Sequence, residues 1–243
     1  MIMSNCCKVI VTFIGPRPVR TPQTVGRCRF GNHYQDRGNA AGVLQMLEDV
    51  YRLECEIDPG IPMDTVLVCN GGYPPEASGF IQRIDGSKTA RGRLRVIERE
   101  NTGLSFGGYA HVFKKYRDKY KFWIFTEDDI LFHVCDYAAT AQQVLLQGNH
   151  FITPFRIADR HRRPHCYGGV GFTRRAVLDR VAEQFGGTLP YHDRVPDQSP
   201  DGRFKHHKFV RYGEIEITNT IVRLGMQLKE LRGIAEFYYE WAQ

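Results

Sequence analysis

The sequence predicts an α/β fold, a mixed, mainly parallel sheet flanked by helices. Three observations carry this expectation. Short β-favouring runs recur at residues 9–14 (VIVTFI), 65–69 (TVLVC), 94–97 (LRVI) and 122–125 (FWIF), as strands buried on both faces do. Segments with helical spacing alternate with strands as far as residue 133, the pattern of a parallel sheet with helices on both faces. Each run ends in polar or glycine-containing sequence. Ligands in open parallel sheets bind beyond those carboxyl ends.

In chain order, the first strand stops at Gly15-Pro16. Residues 17–38 form a long basic stretch rich in Gly and Pro with no period, the mark of a functional or disordered loop. Asn39 caps a helix whose Val43, Leu47, Val50 and Leu53 keep helical spacing. Residues 65–69 are the second strand, turned by Asn70-Gly71-Gly72, and residues 94–97 the third. Ser105 caps a helix carrying Ala110, Phe113 and Tyr116. The fourth strand ends in Thr126, Glu127, Asp128 and Asp129 before apolar residues resume at Ile130.

The second half is less regular. A helix is expected at 137–147, a strand at 150–155, a basic loop at 156–165, and an amphipathic helix at 173–185 closed by Gly186-Gly187. Residues 189–211 are polar and lack apolar periodicity, as a loop closing over a ligand does. A last helix at 213–224, a strand at 226–231 and a docked aromatic tail complete the chain. With no repeat and no linker, residues 1–243 read as a single domain.

The totals bound the function. Hydrophobic residues make up 42% of 243, enough for a sizeable core. The net charge of +6 suits phosphate-bearing ligands or an anionic membrane surface and is too small to argue for nucleic acid. The seven cysteines read as reduced thiols of a cytoplasmic protein. No apolar run has membrane-spanning length, so any membrane contact is expected to be peripheral. Neither His161, His165 and Cys166 nor His192, His206 and His207 has the spacing of a closed zinc site.

Glu127, Asp128 and Asp129 repel one another and lose solvation wherever they are enclosed. Against the core such a cluster awaits a cation, and hard oxygen ligands suit Mg2+ or Mn2+. The alternative is a solvated acidic turn.

Asn101-x-Gly103 and Ser105-x-Gly107, then a helix and an apolar strand ending in acids, resemble the GT-A fold glycosyltransferases, especially the inverting glycosyltransferase family two. The resemblance runs from the first strand to Leu231. It implies a Rossmann-like GT-A sheet with a nucleotide-binding half at about 1–133 and an acceptor-binding half at about 134–243. Glu127-x-Asp129 stands where the family has Asp-x-Asp, which implies Glu127 and Asp129 on the metal. Thr12, Phe13, Arg17, Asn70, Arg99, Asn101, Glu127 and Asp128 would line the nucleotide by family position. Gly168 to Phe172, with Arg174 and Arg175, resembles the acceptor segment. Glu214 to Gly225 resembles the helix bearing the catalytic base, with Ile215 where Asp is usual.

The implied activity is metal-dependent transfer of a sugar from a nucleotide-sugar donor to a glycan or lipid-linked acceptor, with inversion. Inverting transfer needs a carboxylate to take the acceptor's proton. Glu214 and Glu216 are the candidates, about 200° apart on a helix. Glu214 extends the buried stripe of Ile217, Ile221 and Leu224, whereas Glu216 aligns with Thr220 and Arg223 on a polar face. Glu214 is therefore preferred. Two other classes compete: a non-catalytic carbohydrate-binding protein of this fold, and a sugar-nucleotide pyrophosphorylase. The latter needs a glycine-rich loop with a basic residue after the first strand, where Gly15-Pro16-Arg17-Pro18 lacks amide donors at its prolines.

Overall fold

The computed structural model describes residues 4–13, 25–28, 34–36, 40–160, 163–193 and 211–240. The chain runs through β1 (Cys6–Thr12), β2 (Val25–Cys28), β3 (Tyr34–Asp36), α1 (Ala40–Glu56), β4 (Met63–Asn70), α2 (Pro75–Ile84) and β5 (Leu94–Arg99). It continues with α3 (Leu104–Tyr116), β6 (Phe122–Glu127), β7 (Ile130–Phe132), α4 (Tyr137–Leu146), β8 (Phe151–Thr153), β9 (Ala158–Arg160) and β10 (Arg163–His165). Then come β11 (Gly171–Arg174), α5 (Arg175–Glu183), a π-helical turn (Arg211–Ile215), α6 (Glu216–Arg223), β12 (Leu228–Glu230), β13 (Ala235–Phe237) and β14 (Tyr239–Glu240).

One seven-stranded sheet in the order β5-β4-β1-β6-β11-β8-β12 organises the molecule. Its neighbours pair in parallel except β11, which runs against both β6 and β8. The expected mainly parallel α/β architecture is therefore the one the chain adopts. Alternation along β1 sorts the two faces. Cys7, Val9 and Val11 join Trp123 and Phe125 under α3, α5 and α6. Ile10 faces α1 and α2, and Ile124 faces α4. Because α1 and α2 cover one face and α3 the other, the strand order reverses beside β1. The crevice of such a sheet opens there, between the ends of β1 and β6.

Several elements depart from the expectations. The sequence reading passed over α2, although Ala77, Phe80, Ile81 and Ile84 form a buried helical stripe after a proline in the first turn. Thr173 lies in a strand and the helix starts at Arg175. Gly171 sits where a Cβ would run into the Phe151 ring and the Ile152 carbonyl, so only glycine lets β11 enter the sheet. The basic stretch at 156–165 contains the antiparallel pair β9–β10. Gly103, not Ser105, is the residue before α3.

The second half docks as expected. Gly187 lies at φ +90° and returns its N–H to the Ala182 carbonyl, closing the turn after α5. Tyr238 is buried and donates its hydroxyl to Asp49 at 2.6 Å. Among the described residues no helix is long and apolar enough to cross a membrane.

Candidate functional site

The site is built on the ends of four parallel strands. Thr12, the last residue of β1, donates its hydroxyl to Asp128 Oδ2 at 2.6 Å, and the Asp128 N–H donates to the Val11 carbonyl at 3.1 Å. Asp128 is 1% exposed. It lies on the α1 side of the sheet, so its observed part is to fasten β6 to β1. Glu127, one residue earlier, points to the opposite face, as strand alternation requires. There it accepts from Ser105 Oγ at 2.5 Å, which explains why a polar side chain is buried in the first turn of α3. Asp129 is 2% exposed and begins the turn into β7, its carbonyl accepting from the Tyr238 N–H at 2.7 Å.

A second network closes the ends of β4 and β5. Asn70 donates to Asn101 Oδ1 at 3.0 Å and to the Leu104 carbonyl at 2.9 Å. Arg99 donates to Asn70 Oδ1 at 2.5 Å and to the Thr102 carbonyl at 3.0 Å. Burial lowers the Arg99 pKa from its ordinary value, opposed by Tyr191 and Glu100. These bonds hold Gly103 at φ +78° and Leu104 at φ +53°, the latter unusual for a branched residue. Gly103 leaves space for the Tyr191 ring, which a Cβ there would strike. The beginning of the polar 189–211 stretch thus packs over the end of β5.

Phe13 is half-buried at the mouth of β1. Arg17 lies outside the described residues, as do 194–210, so the expected closing loop does too, apart from its first residues.

Glu214 and Glu216 have different partners, and Glu214 lies in a π-helical turn where the sequence predicts a regular helix from residue 213. Glu216 pairs with Arg223 at 2.6 Å, and Arg223 also donates to Thr220 at 2.6 Å. Glu214, in the π-helical turn, stands 3.8 Å from His165 Nε2, and the two side chains are 13% and 5% exposed. Gly213 lies flat on Phe106, where any Cβ would overlap the ring.

Tyr109 packs α3 against β6. Its ring stacks on Phe125 at 4.7 Å and meets Phe106 edge-on at 6.1 Å. The hydroxyl is buried with no hydrogen-bond partner among the described residues. Burial first, and then the charges of Glu127, Asp129, Asp128 and Glu214, push its pKa well above the ordinary value. Sequence reading overlooked both this tyrosine and the His165 pairing. No local pattern announces either, because the partners lie on separate elements.

Among the described residues no group of three His, Cys, Asp or Glu side chains is arranged to hold a metal ion. An all-protein cage is thus not formed there. Glu127 and Asp129 remain hard oxygen donors at the end of β6. Such a pair suits Mg2+ or Mn2+ when phosphate and water oxygens complete the octahedron.

No family model matches the chain, and no curated protein matches it. Similar solved structures include 4-diphosphocytidyl-2C-methyl-D-erythritol synthase from Anaerococcus prevotii, at 12% identity and a TM-score of 0.47, covering 98% of this chain and 92% of that one. Rv0371c from Mycobacterium tuberculosis is similar at 12% identity and a TM-score of 0.38, over 96% and 90% of the two chains. Its complex with manganese gives 12% and 0.39, over 95% and 89%. At such identities these likenesses say nothing about activity, and the fold rests on the strand order and directions above.

Proposed function

We propose that this chain is a nucleotide-dependent transferase that holds a nucleoside diphosphate group across the ends of β1 and β6. The observation that carries the reading is the clustering of Glu127, Asp128 and Asp129 at the point where the strand order reverses. In this reading the chain is one domain, its first half binding the nucleotide and its second half the other substrate. Phe13 stands on the nucleotide side at the mouth of β1, Thr12 supports that end through Asp128, and Asn70, Arg99 and Asn101 form the opposite wall, with Arg17 assigned by family position alone. Glu127 and Asp129 hold Mg2+ or Mn2+. That ion stabilises negative charge developing on the diphosphate oxygens.

Two reactions share this donor site. Nucleotidyl transfer joins a nucleoside triphosphate to a sugar phosphate and releases pyrophosphate. The phosphate cradle it needs would fall in residues 14–24, outside the described structure. Glycosyl transfer moves the sugar to an acceptor hydroxyl, on a glycan or a lipid-linked saccharide, and needs a base. Glu214 is its candidate, a carboxylate whose side chain is 13% exposed in the turn before α6. The resemblance to inverting glycosyltransferase family two remains part of this proposal, carried by the motif residues alone.

Product analysis separates the two. The chain is incubated with a nucleotide-sugar and Mn2+, with and without pyrophosphate. Release of nucleoside diphosphate independent of pyrophosphate supports glycosyl transfer. Nucleoside triphosphate formed only with pyrophosphate supports nucleotidyl transfer. Neither product from UDP-, GDP-, dTDP- or CDP-sugars defeats the proposal.

A further inference from the structure

We propose that Arg174, Arg180 and His150 form a second binding site, for a phosphate-class oxyanion, at the end of the sheet away from the β1–β6 crevice. The inference is independent of the transferase reading. Arg174 lies opposite Phe122, the first residue of β6, whereas Glu127 is the last. Five strand steps separate the two ends, roughly 16 Å.

The backbone brings the three side chains to one corner. β11 runs against β8 with Thr173 opposite Phe151, and Thr173 Oγ1 donates to the His150 carbonyl at 2.7 Å. Continuing that register sets Arg174 opposite His150. The segment between α6 and β12 closes the corner. The His150 N–H donates to the Gln227 carbonyl at 3.1 Å, and the Gln227 N–H donates to His150 Nδ1 at 3.2 Å. Arg180 of α5 reaches the same segment, its Nη2 standing 3.5 Å from the Leu224 carbonyl.

All three side chains present donors. His150 uses Nδ1 as an acceptor, so its neutral ring offers Nε2–H. Burial first, and then Arg174 and Arg180, lower its pKa from the ordinary 6.5, which keeps the ring neutral at pH 7. Arg174 Nε is buried and has no hydrogen-bond partner among the described residues.

The charge is uncompensated. Among the described residues neither Arg174 nor Arg180 forms an ion pair, and Asp179, beside Arg180 in the chain, is held by Arg117 at 3.0 Å and Arg175 at 3.9 Å. No acid stands in the first turn of α5, so the positive end of its dipole adds to the excess.

A shielded, unbonded N–H on a guanidinium has lost hydration that an acceptor restores. Guanidinium forks match pairs of phosphate oxygens, and His150 Nε2–H can take a further one. A carboxylate brings two oxygens and one charge to three donor groups and two cations. A phosphate dianion therefore fits the corner better. Dissolved phosphates and phosphatidate headgroups share this chemistry.

The test is calorimetric titration of inorganic phosphate into the full chain near neutral pH, without Mn2+ and at constant ionic strength. Saturable binding is expected, weakened about tenfold or more by Arg174→Gln and about threefold or more by Arg180→Gln. Arg52→Gln removes an arginine that pairs with Asp49 and Glu56 on α1, and should bind phosphate within about twofold of wild type. Thermal melting without phosphate checks that each variant folds. If Arg174→Gln does not, Arg180→Gln, on the exposed side of α5, decides alone.

Vesicles of phosphatidylcholine with and without phosphatidate identify the source. Arg174-dependent pelleting with phosphatidate that dissolved phosphate displaces supports a headgroup. No pelleting, or pelleting that phosphate does not displace, leaves a dissolved phosphate as the ligand when calorimetry shows binding. No saturable phosphate binding by the wild type overturns the inference, whatever the vesicles do. Affinity within about twofold of wild type in both Arg174→Gln and Arg180→Gln overturns it, as does an equal loss in Arg52→Gln, which would reduce the effect to overall charge.

Discussion

Tyr109 carries a buried hydroxyl with no hydrogen-bond partner among the described residues. A buried hydroxyl without a partner forfeits its hydrogen bond to water, a loss of about 1–3 kcal/mol. Tyr109→Phe is therefore expected to raise the melting temperature of the ligand-free chain by a few degrees. An unchanged or lower value would mean that the hydroxyl is satisfied in solution. Glu216 is the opposite case. Its partly exposed pair with Arg223 predicts that Glu216→Gln loses about 1 kcal/mol or less and keeps activity, whereas Glu214→Gln loses activity. An inactive Glu216→Gln beside a fully active Glu214→Gln would show that the wrong acid had been chosen.

The elements are fastened at the end of the sheet opposite the site. Lys8 of β1 and Glu54 of α1 form a buried ion pair, and Thr65 donates to Glu54 at 2.7 Å. Lys8 Nζ also lies 4.4 Å from the centre of the Phe132 ring. Glu54→Gln would leave the ammonium group uncompensated, and a loss of about 3–5 kcal/mol is expected by chemical denaturation. A loss below about 1 kcal/mol would mean that water reaches Lys8.

Asp64 gives the same end of the sheet a pH dependence. Burial opposes its ionisation, but bonds from Tyr120, Lys119 and Ser4 together lower its pKa from the ordinary 3.8. A lowered folded pKa stabilises the fold fully above the unfolded value, and this contribution disappears as pH falls through the folded value. Asp64→Asn should therefore lose less stability than wild type between about pH 5 and pH 2. Parallel acid titrations of the two proteins would contradict the assignment.

Legibility followed the same division between local and distant contacts. The four parallel strands and α1 follow from periodicities of two and 3.6, which are local, whereas the π-helical turn carrying Glu214 does not. The antiparallel β11 was hidden, because GFTR runs directly into RAVLDRVAE and reads as the start of its helix. Its identity as a strand comes from pairing with Phe122–Glu127, distant in sequence. The acids at the end of β6 were visible as a cluster. That Asp128 is fastened to Thr12 while Glu127 turns to Ser105 needed the sheet to sort their faces.

At the scale of the whole molecule, the core determines which thiols react. Burial raises the pKa of Cys7 well above its ordinary value and pushes Cys6, Cys69 and Cys166 up to about 12, whereas Cys55 and Cys135 are exposed. Brief alkylation of the native chain followed by mass mapping should label Cys55 and Cys135 well ahead of those four. Rapid labelling of Cys6 or Cys69 would indicate that the centre of the sheet opens readily.

The central claim is that the β1–β6 crevice binds a nucleoside diphosphate through a divalent ion held by Glu127 and Asp129. Calorimetric titration of UDP, GDP, dTDP and CDP with and without Mn2+, on wild type and Asp129→Asn, tests it most directly. The account predicts saturable binding of at least one diphosphate that requires Mn2+ in the wild type and is lost in a folded Asp129→Asn chain. Binding of unchanged strength in that variant, or no metal-dependent binding by the wild type, would contradict it.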